Sequence, residues 1–173
     1  MKNLKIYCVT NKAVNFLDNT NYNIGWVGQE KLPKNYISCN SEDNIFFKEK
    51  HYSELTFQYW YWKNKLDLND ESWIGFCQKR RFWINKKYIN DEIEKNFFSD
   101  YVLQSAPDEW NNFDSIICEP ISVNNVKKMK MIKRGFKSII KDPTIFFNEK
   151  KQSLTFHFDM HHGYGNLNKA ISL

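Results

Sequence analysis

The sequence contains 173 residues, of which 42% are hydrophobic and 26% are charged, and its formal net charge is +5. With only 6 Gly and 4 Pro, this composition is typical of one folded globular domain and excludes an intrinsically disordered chain. All but three of the 25 basic residues are Lys. Because the excess of Lys and Asn indicates an AT-rich genome, the three arginines (Arg80, Arg81 and Arg134) are the most informative basic residues.

No run of the sequence approaches the roughly 18 apolar residues of a membrane span, and the apolar run near the N-terminus is too short for a signal peptide. The sequence therefore predicts a soluble, cytoplasmic protein. Its four cysteines show no C-x-x-C spacing, which argues against a zinc knuckle or a disulfide framework. Cys8, Cys77 and Cys118 lie in apolar runs and are predicted to be buried free thiols.

In chain order, β-rich apolar runs predict strands at 4–10 and 23–29. The segment 53–66 predicts a helix, because Leu55, Tyr59, Trp62 and Leu66 recur at helical spacing, and Ser53 is available as N-cap. Further strands are expected at 73–77 and 114–118.

After these elements, 127–141 is basic and amphipathic, with Gly135 interrupting it, and 154–173 runs from an alternating stretch into a helix start. Buried strands separated by helices predict an α/β fold with a mostly parallel sheet. Ligands of such sheets bind beyond the carboxyl ends of the strands. Arg80 and Arg81 follow the strand at 73–77 and offer planar groups suited to phosphate. The alternative is a pair of surface arginines, one of them packing along Phe82 or Trp83.

Two motifs carry a resemblance to a known family. NIFFKEKHYSELTFQYWYWKNKL and WIGFCQKRRFW, with weaker support from KIYCVTNK and FDSIICEP, resemble a domain-of-unknown-function family of capsular and surface-polysaccharide synthesis proteins. Members of that family are similar to nucleotide-diphospho-sugar transferases of the GT-A fold. The resemblance covers roughly residues 4–120. It implies a GT-A-like α/β domain over 1–173, with a mostly parallel sheet flanked by helices.

The resemblance implies a hexosyltransferase-type enzyme that uses a nucleotide-diphosphate sugar and a glycan or lipid-linked acceptor. It places the nucleotide base at the end of the first strand, at Thr10 and Asn11. Gln78 and Lys79 stand where the family has His-Tyr, so a proton-transfer role of that His does not carry over. The chain also lacks the Asp-x-Asp that holds Mn²⁺ or Mg²⁺ in GT-A enzymes, which leaves metal dependence open. Gln78, Arg80 and Arg81 are therefore expected to bind the diphosphate, with the two arginines neutralising it.

The second candidate constellation is HFDMHHGYGN at 157–166. If this segment is extended, His157, Asp159 and His161 share one face. That face is then either a metal site or an acceptor-side catalytic group with Asp159 as base and His161 beside it. In the third interpretation the segment is structural and His162 belongs to a turn. His162 and Glu54 are further candidates for the acceptor cleft, although Glu54 is equally explained by the preference of a helix's first turn for acidic residues.

The basic stretch 127–141, with Lys127 at its start, leaves a non-catalytic function open. It is either a solvated face or a surface for nucleic acid or an anionic membrane. We do not expect nucleic acid to be the partner, whereas peripheral membrane contact is compatible with a lipid-linked acceptor. The helix that starts near Leu167 stops with the chain, so we expect a shortened form or one domain of a larger protein.

Overall fold

The computed structural model of the protein describes residues 3–89, 91–92, 94, 97–119 and 128–172. The chain divides into two compact units, an N-terminal unit of residues 1–114 and a C-terminal unit of residues 115–173. The assignment of 1–173 to one glycosyltransferase-like domain stays a prediction.

The N-terminal unit is built on a four-stranded parallel sheet with the strand order β3-β2-β1-β4. The strands are β1 (Leu4–Thr10), β2 (Asn23–Trp26), β3 (Ile37–Ser38) and β4 (Trp73–Gln78). Helices α1 (Glu49–Tyr52) and α2 (Leu55–Asn64) lie between β3 and β4, and α3 (Phe98–Tyr101) follows β4. This Rossmann-like arrangement confirms the predicted α/β class and three of the predicted strands.

Side chains of β1 alternate between two hydrophobic cores, as the period of a strand requires. Ile6 and Cys8 point to a core that α3 closes with Phe98. Val9 points to the opposite core, which α2 closes with Phe57. Gly25 of β2 is the place of closest approach, because a Cβ there would lie 2.7 Å from the Phe57 ring. Helices therefore cover both faces of the sheet and hold its strands in place.

Helix α2 was predicted correctly as a helix, but the prediction of its buried face was wrong. The residues that pack on the sheet are Thr56, Phe57, Trp60 and Tyr61. The predicted core stripe of Leu55, Tyr59, Trp62 and Leu66 faces outward instead, and Trp62 is 58% exposed. Ser53 is not the N-cap either, because Glu54 occupies that position without a side-chain bond. Both faces of this helix are apolar, so periodicity alone could not choose between them.

The strand predicted at 114–118 is absent, and residues 115–119 have no regular secondary structure. Ile117 and Cys118 are exposed there, so the run does not enter a core. The prediction of a buried thiol is wrong for Cys118. Cys8 and Cys39 are fully buried, and Cys77 is half-buried.

The C-terminal unit contains α4 (Lys128–Lys141), α5 (Leu154–His162) and α6 (Asn166–Ile171). Its core is small and consists of Met131, Phe156 and Met160 with half-buried neighbours. Gly135 does not interrupt α4. Instead it lets α5 approach, because a Cβ at this position would lie 2.8 Å from the Phe156 ring. The predicted helix start at the end of the chain is α6, whereas Lys127 lies outside the described residues.

None of the helices in the described part of the chain combines the length and apolar character needed to cross a bilayer.

Candidate functional site at the strand switch point

The order of the strands reverses between β1 and β4. The chain proceeds from β1 to β2 and β3 on one side, then crosses through α2 and places β4 on the other side of β1. Val9 and Gln78 are register partners at the carboxyl ends of these two strands. In open α/β sheets, the crevice beyond such a switch point is where ligands bind. The fold therefore directs attention to the residues that leave β1 and β4.

The exit from β1 is held by a local turn. The Thr10 hydroxyl donates to the carbonyl of Lys12 at 2.7 Å and accepts from the Lys12 N–H at 3.1 Å. Thr10 is buried and its side chain is thus committed to the backbone, whereas Asn11 is exposed. Of the two residues predicted to bind the donor, Thr10 shapes the turn and Asn11 presents its side chain.

A hydrogen bond joins the two strand exits. The Lys79 ammonium group donates to the Asn11 side-chain oxygen at 2.8 Å. This contact places a cation directly over the switch point. Lys79 was not among the predicted site residues, although Arg80 and Arg81 were. The run of three consecutive basic residues, 79–81, is the signal that could have indicated it.

Arg80 and Arg81 lie on a closed turn at the end of β4. The Arg81 N–H donates to the Gln78 carbonyl at 2.9 Å, and the Gln78 N–H donates back to the Arg81 carbonyl at 3.3 Å. Gln78 thus contributes its backbone to the turn. Both arginine side chains are exposed, and neither makes a hydrogen bond or ion pair with a described residue. Two guanidinium groups are therefore available to an anion.

The residues after this turn fix it to the core. The Phe82 ring packs against Phe98, with centroids 4.6 Å apart. The Trp83 indole N–H donates to the Phe76 carbonyl at 3.0 Å, and the Trp83 carbonyl accepts from the Tyr22 hydroxyl at 2.7 Å. The contacts of Phe82 and Trp83 thus anchor the turn to the core. The alternative in which one arginine packs along Phe82 or Trp83 stays a prediction.

Gly28, which follows β2, lies close to the exit of β1. A Cβ at Gly28 would lie 2.7 Å from the Asn11 carbonyl oxygen, so only glycine allows the exits of β1 and β2 to meet. Sequence analysis did not assign Gly28 a role. Isolated glycines near strand ends are the signal that could have indicated it.

Glu54 lies at the same edge of the sheet. It immediately precedes α2, and Phe57 in the first turn packs among Val9, Val27 and Cys39 near the strand ends. Burial raises the pKa of the Cys39 thiol to about 12, so this cysteine is a neutral core group. Glu54 is half-buried and makes no hydrogen bond to the switch-point residues within the described part of the chain.

The predicted extended conformation of 157–161 is wrong, because these residues lie in α5. The Ser153 hydroxyl caps this helix by accepting from the Phe156 N–H at 3.2 Å. Residues two apart in a helix point to nearly opposite sides, so Asp159 does not share a face with His157 and His161. Across the described residues, no group of three or more His, Cys, Asp or Glu side chains is arranged to hold a metal ion. The proposed metal set therefore loses its geometric basis.

Asp159 is nevertheless unusual. It is 7% exposed, and its Oδ1 has no hydrogen-bond partner in the described structure. The Nε2 atom of His157 is also buried without a partner. An unsatisfied buried polar group costs about 1–3 kcal/mol, and a bound water or a ligand atom that supplies the missing hydrogen bond removes this cost. Asp159 is thus a buried carboxylate with one oxygen that has no partner among the described residues.

The other two histidines have identifiable contacts. His161 Nε2 lies 3.0 Å from the Lys130 ammonium group. Burial lowers the pKa of His161, and the charges of Lys130 and Arg134 lower it further, which favours a neutral ring that accepts from Lys130. The His162 ring packs on Phe158 at 4.4 Å, and its carbonyl accepts from the Asn166 amide. His162 is therefore the last residue of α5, and the turn predicted at this place follows it, at 164–165.

Two of the predicted constellations belong to different units. The switch-point residues are in the N-terminal unit, and the α5 residues are in the C-terminal unit.

Comparison with known proteins found no curated protein and no solved structure that matches the chain. One protein-family model matches, over residues 5–171, and its description is "Domain of unknown function (DUF4422)". The match includes both the switch-point turn and α5. Since it spans nearly the whole sequence, the chain belongs to this family of unknown function.

Proposed function

We propose that the protein is a glycosyltransferase that moves a sugar from a nucleotide-diphosphate donor to a glycan or glycolipid acceptor in surface polysaccharide synthesis. The observation that carries the proposal is the anchored turn at the switch point. It presents Arg80 and Arg81 without partners among the described residues, beside the Lys79–Asn11 hydrogen bond. Cationic side chains carried by a turn whose backbone is anchored suit the diphosphate of an activated sugar.

In the proposed reaction, an acceptor hydroxyl oxygen attacks the anomeric carbon of the donor sugar. The bond from that carbon to the diphosphate oxygen breaks, and the nucleoside diphosphate leaves with the electron pair. Arg80 and Arg81 stabilise the negative charge that develops on the leaving group, and the hydrogen-bonded turn holds their backbone at the end of β4. Exposed Asn11 and the backbone beyond β1 contact the nucleotide.

The hydroxyl proton requires a base, and we propose Asp159 for this role. Its Oδ1 is buried and has no hydrogen-bond partner among the described residues. Neutral His161, which lies on α5 with Asp159 and contacts Lys130 of α4, is the second group proposed on the acceptor side. Glu54 and His162 remain candidates for contacts with the acceptor.

The residues at the switch point do not fit a bound divalent cation. The side chains described there are cationic (Lys79, Arg80 and Arg81) or amide (Asn11), whereas Mg²⁺ and Mn²⁺ prefer carboxylate oxygens. We therefore assign no step of the reaction to a metal. A lipid-linked acceptor is reached at a membrane surface, so we also propose a cytoplasmic protein that works at the inner face of the membrane.

The central test is donor binding by calorimetry with uridine, guanosine and thymidine diphosphate sugars, with and without Mn²⁺. We expect Arg80→Ala and Arg81→Ala each to weaken binding by at least about tenfold, because a charge-assisted hydrogen bond contributes about 1.5–3 kcal/mol. Arg134→Ala removes the same group from α4 and is the matched control, with unchanged binding expected.

Unchanged donor affinity in both switch-point variants would contradict the assignment of the turn. Salt-sensitive binding to DNA or RNA without any affinity for nucleotide sugars would instead support the alternative of a nucleic-acid module. For the base, Asp159→Asn should abolish turnover while donor binding stays intact, and retained turnover would exclude Asp159.

A further inference from the structure

Helix α4 has an apolar face that the core of its own unit uses only in part. Met131 and Gly135 are buried against α5, and half-buried Ile139 packs beside them. A second apolar stripe lies next to this one and is exposed. Its members are Met129 at 62%, Ile132 at 44%, Phe136 at 59% and Ile140 at 64% exposure.

The exposed residues form one continuous strip. Ile132, Phe136 and Ile140 follow each other at intervals of four, and Met129 precedes them by three, so all four lie on the same side of the helix. At a rise of about 1.5 Å per residue, the strip is about 16 Å long. Four large apolar side chains in one row exceed the scattered exposure that is normal on a protein surface.

Basic side chains border this strip. Lys133, Lys137 and Lys141 form a row one residue further along, and residues 128–141 contain six basic and no acidic side chains. Lys133 and Lys137 are exposed and make no hydrogen bond or ion pair with a described residue. The face therefore combines an apolar strip with unpaired positive charge.

We propose that this face of α4 binds an anionic lipid surface, with the helix lying in the plane of the interface. An in-plane helix inserts apolar side chains at the boundary of the acyl chains, while its lysines contact the headgroups. The charge selects this occupant, because the charged side chains that border the strip on α4 are lysines and anionic headgroups supply the complementary charge over the whole surface.

The test is flotation of the full chain with vesicles of phosphatidylcholine alone and of phosphatidylcholine mixed with phosphatidylserine. The expected result is binding to the anionic vesicles only, reduced by added salt. Lys133→Ala with Lys137→Ala should lower the partition coefficient about twenty-five-fold, since each basic residue near such a surface contributes about fivefold. Phe136→Ser with Ile140→Ser should also release the protein.

Matched controls come from exposed positions in the N-terminal unit. Lys31→Ala with Lys34→Ala removes the same charge, and Leu68→Ser removes a comparable exposed apolar side chain. Neither change should alter vesicle binding. All these sites are exposed, so circular dichroism should show an unchanged fold.

Failure of the unaltered chain to bind anionic vesicles would overturn the proposal, as would equal losses in the controls. Sedimentation that shows a dimer broken by Phe136→Ser with Ile140→Ser, without vesicle binding, would assign the face to a second copy of the chain instead. The inference deepens the proposed location at the membrane, but neither readout depends on glycosyltransferase activity, so failure here and failure of the proposed reaction are distinguishable.

Discussion

In the N-terminal unit, apolar side chains lie on both faces of a parallel sheet, whereas in the C-terminal unit the core lies between α4 and α5. The first arrangement fixes the strands from two sides, and with them the turns that leave β1 and β4. The second rests on three buried side chains and one close approach at Gly135. The comparison indicates that the two arginines proposed to bind the donor diphosphate lie on the more firmly supported unit.

The two units also differ in the surroundings of their exposed apolar side chains. Helix α2 buries an aromatic face and still carries an apolar outer stripe, which has charges of both signs around it: Lys63 lies over the Trp62 ring and Asp43 accepts from the Tyr59 hydroxyl. In helix α4, one part of the apolar face packs in the core of the C-terminal unit and the other part is exposed. Lysines lie beside the exposed part. Outer apolar side chains therefore have different surroundings in the two units, charges of both signs around α2 and only basic side chains along α4, and the second pattern is the one that suits the proposed anionic surface.

The largest expected effect comes from removing the central aromatic group of the N-terminal unit. Phe57→Ala should lower the free energy of unfolding by about 3–5 kcal/mol, because the ring is fully buried and its loss leaves a cavity over the sheet. Urea denaturation measures the change. Trp62→Ala on the opposite face of the same helix is the control, with a loss below about 1 kcal/mol. A larger loss in Trp62→Ala would reverse the assignment of the buried face.

A smaller effect is expected at the contact between α4 and α5. Gly135→Val inserts side-chain atoms where even a Cβ would lie 2.8 Å from the Phe156 ring, and overpacking of this kind costs about 1–3 kcal/mol. Thermal unfolding followed by circular dichroism gives the loss. Lys137→Val introduces the same residue on the exposed side of α4 and should change stability less. Increased stability in Gly135→Val would mean that the two helices do not need this close approach.

Much of the sheet could be predicted because β1, β2 and β4 are apolar runs with clear ends. The orientation of α2 could not, since both its faces are apolar. What decides it is the match of Phe57 to Gly25, two residues far apart in sequence. The spacing of apolar residues in a sequence indicates that a helix has an apolar stripe. Whether that stripe is buried depends on the surface of the sheet against which the helix packs.

The candidate site likewise has features that the sequence could predict and features that it could not. The position of Arg80 and Arg81 after a buried strand could be inferred from the rule for parallel sheets. The Lys79–Asn11 hydrogen bond could not, because it requires β1 and β4 to be neighbours. In α5, polar alternation at 155–159 suggested an extended segment. The Ser153 cap and the spacing of Phe156 and Met160 were the helical signals that outweighed it.

The smallest predicted effect concerns acid stability at the amino edge of the same sheet. The Lys5 ammonium group lies 2.5 Å from an Asp70 carboxylate oxygen. This hydrogen bond holds the pKa of Asp70 well below its ordinary value, and hydrogen bonds from Ser72 lower the pKa further. A carboxyl group with a lowered folded-state pKa stabilises the protein fully above its unfolded pKa of about 3.9. That contribution is lost as the pH falls through the lowered folded-state pKa.

Asp70→Asn should therefore lower the urea midpoint at neutral pH, and its difference from the unaltered protein should shrink as the pH falls below about 4. Asp18→Asn removes the same charge from an exposed position without a described side-chain partner, and should show a smaller difference at neutral pH. A difference for Asp70→Asn that stayed constant from neutral to acid pH would indicate that the carboxylate charge does not stabilise this edge. The stability of the N-terminal unit would then come from its two hydrophobic cores without a contribution from this ion pair. The two units would then differ mainly in the size of their cores.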